Sequence, residues 1–241
     1  LKKAVITGAT GGIGEALANK FASMGYELIL IYGNNIEKAQ KMQNTLSLKV
    51  PVSIYSLDFS DPKGYLPEFH KIHKRHGHID LLIHSAGISY RSLLHEMEAV
   101  QFEKLMDVNV KPLFYLSKEL IPDMISRGEG TILSISSIWG SRAASMEVAY
   151  SMTKGAVEQF TRSLAAELSH MNIRVNAIAP GGVNTSLLSN LTSDEMEAFT
   201  EDIPFRRLAD PMEIADLAEF LVTKGTYITG QILTIDGGFT L

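Results

Sequence analysis

The stretch VITGATGGIGEAL, residues 5–17, decides how the rest of the chain is read. A short β-branched run ends at Thr7, and Gly8, Gly12 and Gly14 follow where a helical pattern begins. A strand, glycine loop and helix in this order bring backbone N–H groups close to a pyrophosphate and point a partially positive helix N-terminus at it. The spacing is Gly-x3-Gly-x-Gly rather than Gly-x-Gly-x2-Gly, so context rather than the triplet separates a nucleotide loop from three glycines in a surface turn.

The same alternation continues along the chain. β-Branched apolar runs recur at Lys3 to Thr7, Glu27 to Ile31, Val52 to Ser56, Leu81 to His84, Thr131 to Ser136, Arg174 to Ala179 and Ile232 to Asp236. Helical periodicity fills the gaps, as in EALANKFASMG, where Leu17, Phe21 and Met24 share a face and Gly25 closes the helix. Strands alternating with such helices predict βαβ units, hence an α/β, doubly wound parallel sheet with helices on both faces. No linker, repeat or shift in composition divides residues 1–241, and one domain is expected.

Composition narrows the chemistry. The 241 residues contain no cysteine, which excludes disulfides, thiolate catalysis and cysteine-ligated metals; no metal is part of the expected site. A net charge of −5, with acids and bases interspersed, argues against nucleic acid as a partner. Apolar runs such as LILI at 28–31 are too short to cross a bilayer, and LKKAVITG enters a strand directly. A soluble, cytoplasmic protein without a membrane partner is the expectation.

The end of the second strand selects the dinucleotide, because an acid there accepts hydrogen bonds from a ribose 2′-OH and repels a 2′-phosphate. LILIYGNNIEKA has no acid before Glu37, and Asn34 and Asn35 can donate to a phosphate. No base precedes Lys38, and Gly11 stands where a basic clamp would be useful. Charge complementarity therefore favours NADP(H) and leaves NAD(H) open. Asp58, in YSLDFSD, suits either the adenine amino group or a local cap, although Asp61, followed by a proline, is the better-placed helix cap.

A second constellation lies in SSIWGSRAASMEVAYSMTKGA, residues 136–156. Tyr150 and Lys154 are four apart in a helical pattern and share one face. An ammonium beside a phenol favours phenolate and tunes it as a proton donor, while Ser137, at the C-terminal end of a strand, can hold a carbonyl oxygen. Singly, the three read as a packed aromatic, a solvated charge and a turn residue; joined to the glycine loop they read as an active site with Tyr150 as its acid.

These motifs, with HSAG at 84–87, Asn109 in DVNV, and APGGVNT at 179–185, resemble those of the short-chain dehydrogenase/reductase family from end to end. The resemblance implies a seven-stranded Rossmann sheet and a homotetramer. It implies catalysis by Asn109, Ser137, Tyr150 and Lys154: Tyr150 as acid, Ser137 orienting the carbonyl, Lys154 lowering the Tyr150 pKa and binding the nicotinamide ribose, and Asn109 holding a relay water. It implies cofactor contacts from Gly8, Thr10, Gly12, Ile13 and Gly14, from Asn34 and Asn35, from Asp58 and Phe59, and from Ser85, Ala86 and Gly87. Pro180, Gly181, Val183 and Thr185 would face the nicotinamide end. His84 and Ser85 replace the family's usual Asn pair, so the bracing of the central strands must come from elsewhere; His84 reads as structural.

VNVKPLFYLSK, AAELSHMNIRVNAIAPG, IPFRRLADPMEIA and YITGQILTIDGG are most similar to 3-oxoacyl-[acyl-carrier-protein] reductases. That implies fatty acid biosynthesis, with a 3-oxoacyl thioester on acyl carrier protein as substrate. The basic face this partner needs is thin, with Arg127 present but Met171 where many of those enzymes carry Arg. SSIWG, EVAYS and KGA are more similar to reductases of the 5-aminopentanone modification on elongation factor P, and Glu147 reads either as a solvated loop charge or as an anion that suits an amine-bearing ketone. Oxidation of a small alcohol, and a non-catalytic nucleotide-binding protein on the same fold, are the remaining alternatives. Residues 184–205 read as a substrate lid, and Trp139 as a residue that lines the entrance or simply packs.

Overall fold

A computed structural model of the chain describes residues 1–189 and 192–241. Seven strands form one sheet in the order β3-β2-β1-β4-β5-β6-β7, all parallel: β1 Lys3–Thr7, β2 Glu27–Tyr32, β3 Val52–Ser56, β4 Leu81–His84, β5 Gly130–Ile135, β6 Ile173–Pro180 and β7 Ile232–Ile235. Every strand matches its predicted run to within a residue or so at either end. The chain reverses direction across the sheet between β1 and β4, the place where an open parallel sheet offers a crevice at its strand C-termini.

The strand residues sort by parity. Ala4, Ile6, Leu28 and Leu30 face one layer, built from α1 Gly12–Ser23, α2 Ile36–Leu46 and α8 Pro211–Thr223. Val5, Ile29 and Ile31 face the other, built from α3 Pro62–His76, α5 Lys111–Arg127 and α6 Val148–Leu168. Side chains that alternate across a pleat explain the sorting, and burial on both faces explains why these strands are apolar throughout. Each fully buried Leu or Ile contributes about 1.5–3 kcal/mol of transfer free energy.

Helix ends follow local chemistry. α1 closes in a Schellman arrangement: Gly25 takes φ +81°, its N–H reaches Ala22 O at 3.1 Å, and Tyr26 N–H reaches Phe21 O at 3.1 Å. Asp61 occupies the N-cap of α3 ahead of Pro62, as predicted, yet makes no side-chain cap hydrogen bond. Two further α-helices lie among the described residues: α4 Ala99–Asn109, and α7 Ser193–Asp202, held by a capping box between Thr192 and Glu195. The predicted lid at 184–205 comprises a 3-10 turn at Ser186–Leu188 and α7; its positions 190 and 191 lie outside the described residues. Among the described residues no helix is long and apolar enough to cross a membrane.

Candidate active site

The glycine loop leaves β1 at Thr7 and enters α1 at Gly12. Gly8 holds φ +64°, and a Cβ there would lie 2.7 Å from the backbone of Ala86. At Gly14 a Cβ would fall on the Gly8 carbonyl oxygen, while at Gly12 it would meet the Thr185 methyl at 2.5 Å. The cradle is therefore too close for any side chain at Gly14, and it brings Gly12 and Thr185, far apart in sequence, to the same cleft. The first-turn N–H groups of α1 have no intrahelical acceptors and face this cleft without a side-chain cap.

His84 and Thr7 supply the brace between β1 and β4. The Thr7 hydroxyl oxygen accepts the Ser85 and Ala86 amides, both at 3.2 Å, and lies 3.0 Å from His84 Nδ1. With its lone pairs engaged, the hydroxyl donates to Nδ1, so the imidazole proton sits on Nε2. Burial, reinforced by the Lys154 charge, lowers the His84 pKa to about 3 and keeps the ring neutral.

At the end of β2, the Asn35 side-chain oxygen caps α2 by accepting Lys38 N–H at 2.9 Å. Asn34 remains exposed beside it. Lys38 Nζ pairs with Glu15 of α1 at 2.6 Å, which brings a base to the rim of the glycine loop. Asp58 Oδ1 accepts both the amide and the hydroxyl of Ser60, at 2.9 and 2.6 Å, and these bonds hold its carboxyl below the usual range. The Phe59 side chain packs edge-on against Tyr65 at 5.1 Å in the core, leaving its backbone as the part that can face a base.

Asn109, Ser137, Tyr150 and Lys154 converge at the strand C-termini, each buried. The Asn109 side chain exchanges two bonds with Ile88, accepting its N–H at 2.8 Å and donating to its carbonyl at 2.9 Å. It also donates to Thr153 Oγ1 at 3.0 Å, and Thr153 in turn donates to the Tyr150 carbonyl at 2.7 Å. Lys154 Nζ donates to the Ile135 carbonyl at 2.9 Å and would touch a Cβ on Gly87 at 3.5 Å. Ser137 sits in extended backbone just past β5, where its oxygen accepts the Trp139 amide at 3.2 Å.

Burial dominates the electrostatics of the tyrosine. The Tyr150 phenol is pushed above its ordinary range, chiefly by burial, with Ser137 opposing and the Glu147 charge adding to the rise. Lys154 Nζ lies 5.6 Å from the ring centroid and donates to the Ile135 carbonyl, and burial lowers its own pKa to about 8. A phenol that holds its proton is a donor, so the geometry suits delivery of a proton to a nascent alkoxide.

The sequence reading missed Thr153, which lies inside the Tyr-x3-Lys motif, and it missed Arg91, which meets Glu147 from the loop after β4. Neither has a local signal, because each is defined by its partner in another element. Past the C-terminal end of β6, which Pro180 closes, the Gly181 amide bonds Ile235 O at 3.0 Å, and Val183 bridges to Ala209.

The chain as a whole is similar to known proteins. A family model described as Enoyl-(Acyl carrier protein) reductase matches residues 8–240. The uncharacterized oxidoreductase YmfI of Bacillus subtilis is 39% identical, covering 99% of this chain and 98% of its own length. The 3-oxoacyl-[acyl-carrier-protein] reductase FabG of Aquifex aeolicus is 32% identical over 98% of this chain and 96% of the relative. The structure of ElxO with NADP bound superposes with a TM-score of 0.89 at 29% identity, covering 99% of this chain and 98% of that one.

Proposed function

The chain belongs to the short-chain dehydrogenase/reductase family, and from that premise we propose that it reduces a ketone to a secondary alcohol with NADP(H), the ketone belonging to a substrate that carries a cation. It is an NAD(P)-dependent oxidoreductase, and NADP(H) is the favoured cofactor. The glycine cradle fits such a group: Gly8, Thr10, Gly12, Ile13 and Gly14 would hold the pyrophosphate, Asn34 and Asn35 the 2′-phosphate end, and Asp58 with the Phe59 backbone the adenine. Ser85, Ala86 and Gly87, with Lys154, would face the riboses; Pro180, Gly181, Val183 and Thr185 would face the nicotinamide. When bound, the cofactor supplies the hydride. Ser137 orients the carbonyl oxygen, Tyr150 gives up its proton to that oxygen, and Asn109 fixes the turn of α6 that carries Tyr150 and Lys154.

The observation that carries the cationic reading is Glu147, whose carboxylate is largely buried one turn before Tyr150 and contributes to the field on its phenol. Such a charge favours an ammonium-bearing ketone, of the kind that the 5-aminopentanone modification of elongation factor P presents. The relatives favour a second reading, a 3-oxoacyl thioester on acyl carrier protein. The basic face argues against it: Arg127 is bound to Asp80 at 2.8 Å and Glu129 at 2.7 Å, leaving little for an acidic partner. We further propose a homotetramer in the cytoplasm; an apolar groove of about 280 Å³ along α5 and α6, where Phe114 is exposed beside Phe160, suits burial against another copy of the chain.

NADPH oxidation on aminopentanone-bearing elongation factor P and on acetoacetyl thioester separates the readings. Turnover of the modified factor alone supports the first, and efficient turnover of the thioester alone replaces it with the second.

A further inference from the structure

Glu147 sits where α6 begins, one turn before the tyrosine that donates the proton. Its side chain is 13% exposed, and among the described residues its polar partners are two: the Ser89 hydroxyl at 3.4 Å from Oε2, and Arg91 Nε at 4.0 Å from Oε1. Both distances exceed the 2.7–2.9 Å or so of a well-made charge-assisted hydrogen bond. Burial accordingly raises the Glu147 pKa, against the pull of Arg91 and Ser89. A carboxylate taken out of water without a close donor is a seat for a cation.

Arg91 does not fill that seat because it is shared. Its Nη1 lies 3.4 Å from Glu195 Oε1, on the first turn of α7. Glu195 is itself fixed: Oε2 accepts the Thr192 amide at 2.9 Å and the Thr192 hydroxyl at 3.1 Å in the capping box, which turns Oε1 toward Arg91. The backbone beside Arg91 is also held, since Ser92 N–H bonds the Met146 carbonyl at 2.9 Å. The Arg91 side chain is 42% exposed and that of Glu195 48%, so the outer half of the bridge is in water and weak, while the inner half is dry and loosely made.

We propose that Arg91 is a specificity-determining residue: held between Glu147 and Glu195, it keeps the inner carboxylate available to the cation of the substrate and couples its occupation to the helix α7. The inference rests on the cationic-ketone reading and adds to it the residue that sets the strength of that recognition. A substrate cation settling on Glu147 displaces Arg91 outward, toward Glu195, and α7 is then held to the loop after β4 by the stronger outer pair. Removing the Arg91 charge takes away the cation that competes for Glu147 and tightens the cationic substrate. Removing the Glu195 charge releases Arg91 to close on Glu147 and weakens it. The two changes act in opposite directions on the same constant, which a loosened fold would not do.

The test uses a pair of ketones that differ only in charge: a pentanone with a terminal trimethylammonium group, which cannot cyclise onto the carbonyl, and its uncharged tert-butyl isostere. Steady-state NADPH oxidation gives kcat and KM for each in the wild type, Arg91→Gln, Glu195→Gln and Glu147→Gln, with NADPH affinity as the check of folding. The wild type is expected to prefer the cationic ketone. Arg91→Gln should raise that preference about threefold and Glu195→Gln should lower it about threefold, both through KM. Glu147→Gln should abolish it, a change of about tenfold. If Glu147→Gln abolishes the preference while Arg91→Gln and Glu195→Gln leave it unchanged, the role of Arg91 is overturned and the cationic reading stands. If the wild type shows no preference and Glu147→Gln changes nothing, the cationic reading itself falls.

Discussion

Asn109 of α4 donates its side-chain amide to the Thr153 hydroxyl of α6 at 3.0 Å, and that hydroxyl donates onward to the carbonyl of Tyr150 at 2.7 Å. A single buried hydroxyl thus ties the helix that carries the acid to the residue that holds its neighbour. Thr153→Val keeps the shape, removes both bonds and leaves one buried N–H of the Asn109 amide without an acceptor, the other still bound to the Ile88 carbonyl. The expected cost is about 1–3 kcal/mol of stability. A loss of turnover of about tenfold should accompany it, and Thr153→Ser should restore both. Denaturant melts and NADPH oxidation rates read the two effects, and unchanged turnover in Thr153→Val would show that the tie is purely structural.

Tyr150→Phe should leave the packing intact, since the ring is buried among Leu105, Ala149 and Trp139, and remove only the hydroxyl. If the phenol is the proton donor, turnover falls by about 10²–10⁴ while NADPH affinity changes little. Fluorescence titration of NADPH beside initial rates makes the comparison; a near-wild-type rate would remove Tyr150 from the mechanism.

His84 gives a pH dependence whose direction is set by its burial. An ordinary histidine takes up its proton near pH 6.5, but the folded chain refuses one until about pH 3. Between those values the unfolded chain binds more protons, so stability falls as the pH drops from about 6.5 toward 3. The whole window is worth a few kcal/mol at order of magnitude. His84→Asn should flatten this component and leave the rest of the acid limb in place. Urea midpoints measured across that range decide it, and parallel curves for wild type and variant would contradict the assignment.

Much of this architecture is legible in the chain because its signals are local. β2 is apolar at nearly every position because both faces are covered, and Tyr150 and Lys154 share a face because they are four apart. The glycine loop is readable for the same reason, being one turn with its own requirements. What escapes is set by partners distant in sequence: Arg91 meets Glu195 across 104 positions, and Lys38 meets Glu15 across a strand and a turn. The Tyr150 pKa belongs to this second class. Spacing places an ammonium near the phenol, but only the packed structure shows that Nζ is bound to Ile135 and that burial dominates.

The glycines of the loop should not be equivalent. A Cβ at Gly14 strikes the backbone carbonyl of Gly8, which cannot move without unmaking the turn, whereas at Gly12 it strikes the side chain of Thr185, its methyl at 2.5 Å and its Cβ at 2.9 Å. Gly14→Ala is expected to cost several kcal/mol, each lowering Tm by about 2–4 °C in a chain of this size, and to abolish NADPH binding. Gly12→Ala should fold normally with weakened NADPH binding, and Thr185→Ser in the same chain should recover part of it. Equal thermal shifts in the two single variants would refute the distinction.

Asn34 decides the last expectation. It is exposed just past β2, beside Asn35, whose side-chain oxygen is already committed to capping α2, and the nearby Lys38 is engaged by Glu15. A carboxylate at position 34 would therefore face a 2′-phosphate with little to screen it, yet could accept hydrogen bonds from a 2′-OH. Asn34→Asp should lower kcat/KM for NADPH relative to NADH by about tenfold, mainly through KM. Because the position lies outside the core, Tm should not move by more than about a degree or two. A ratio that stays constant would mean that the 2′ end of the cofactor is read elsewhere, and Lys38 on the rim of the glycine loop would be the next residue to change.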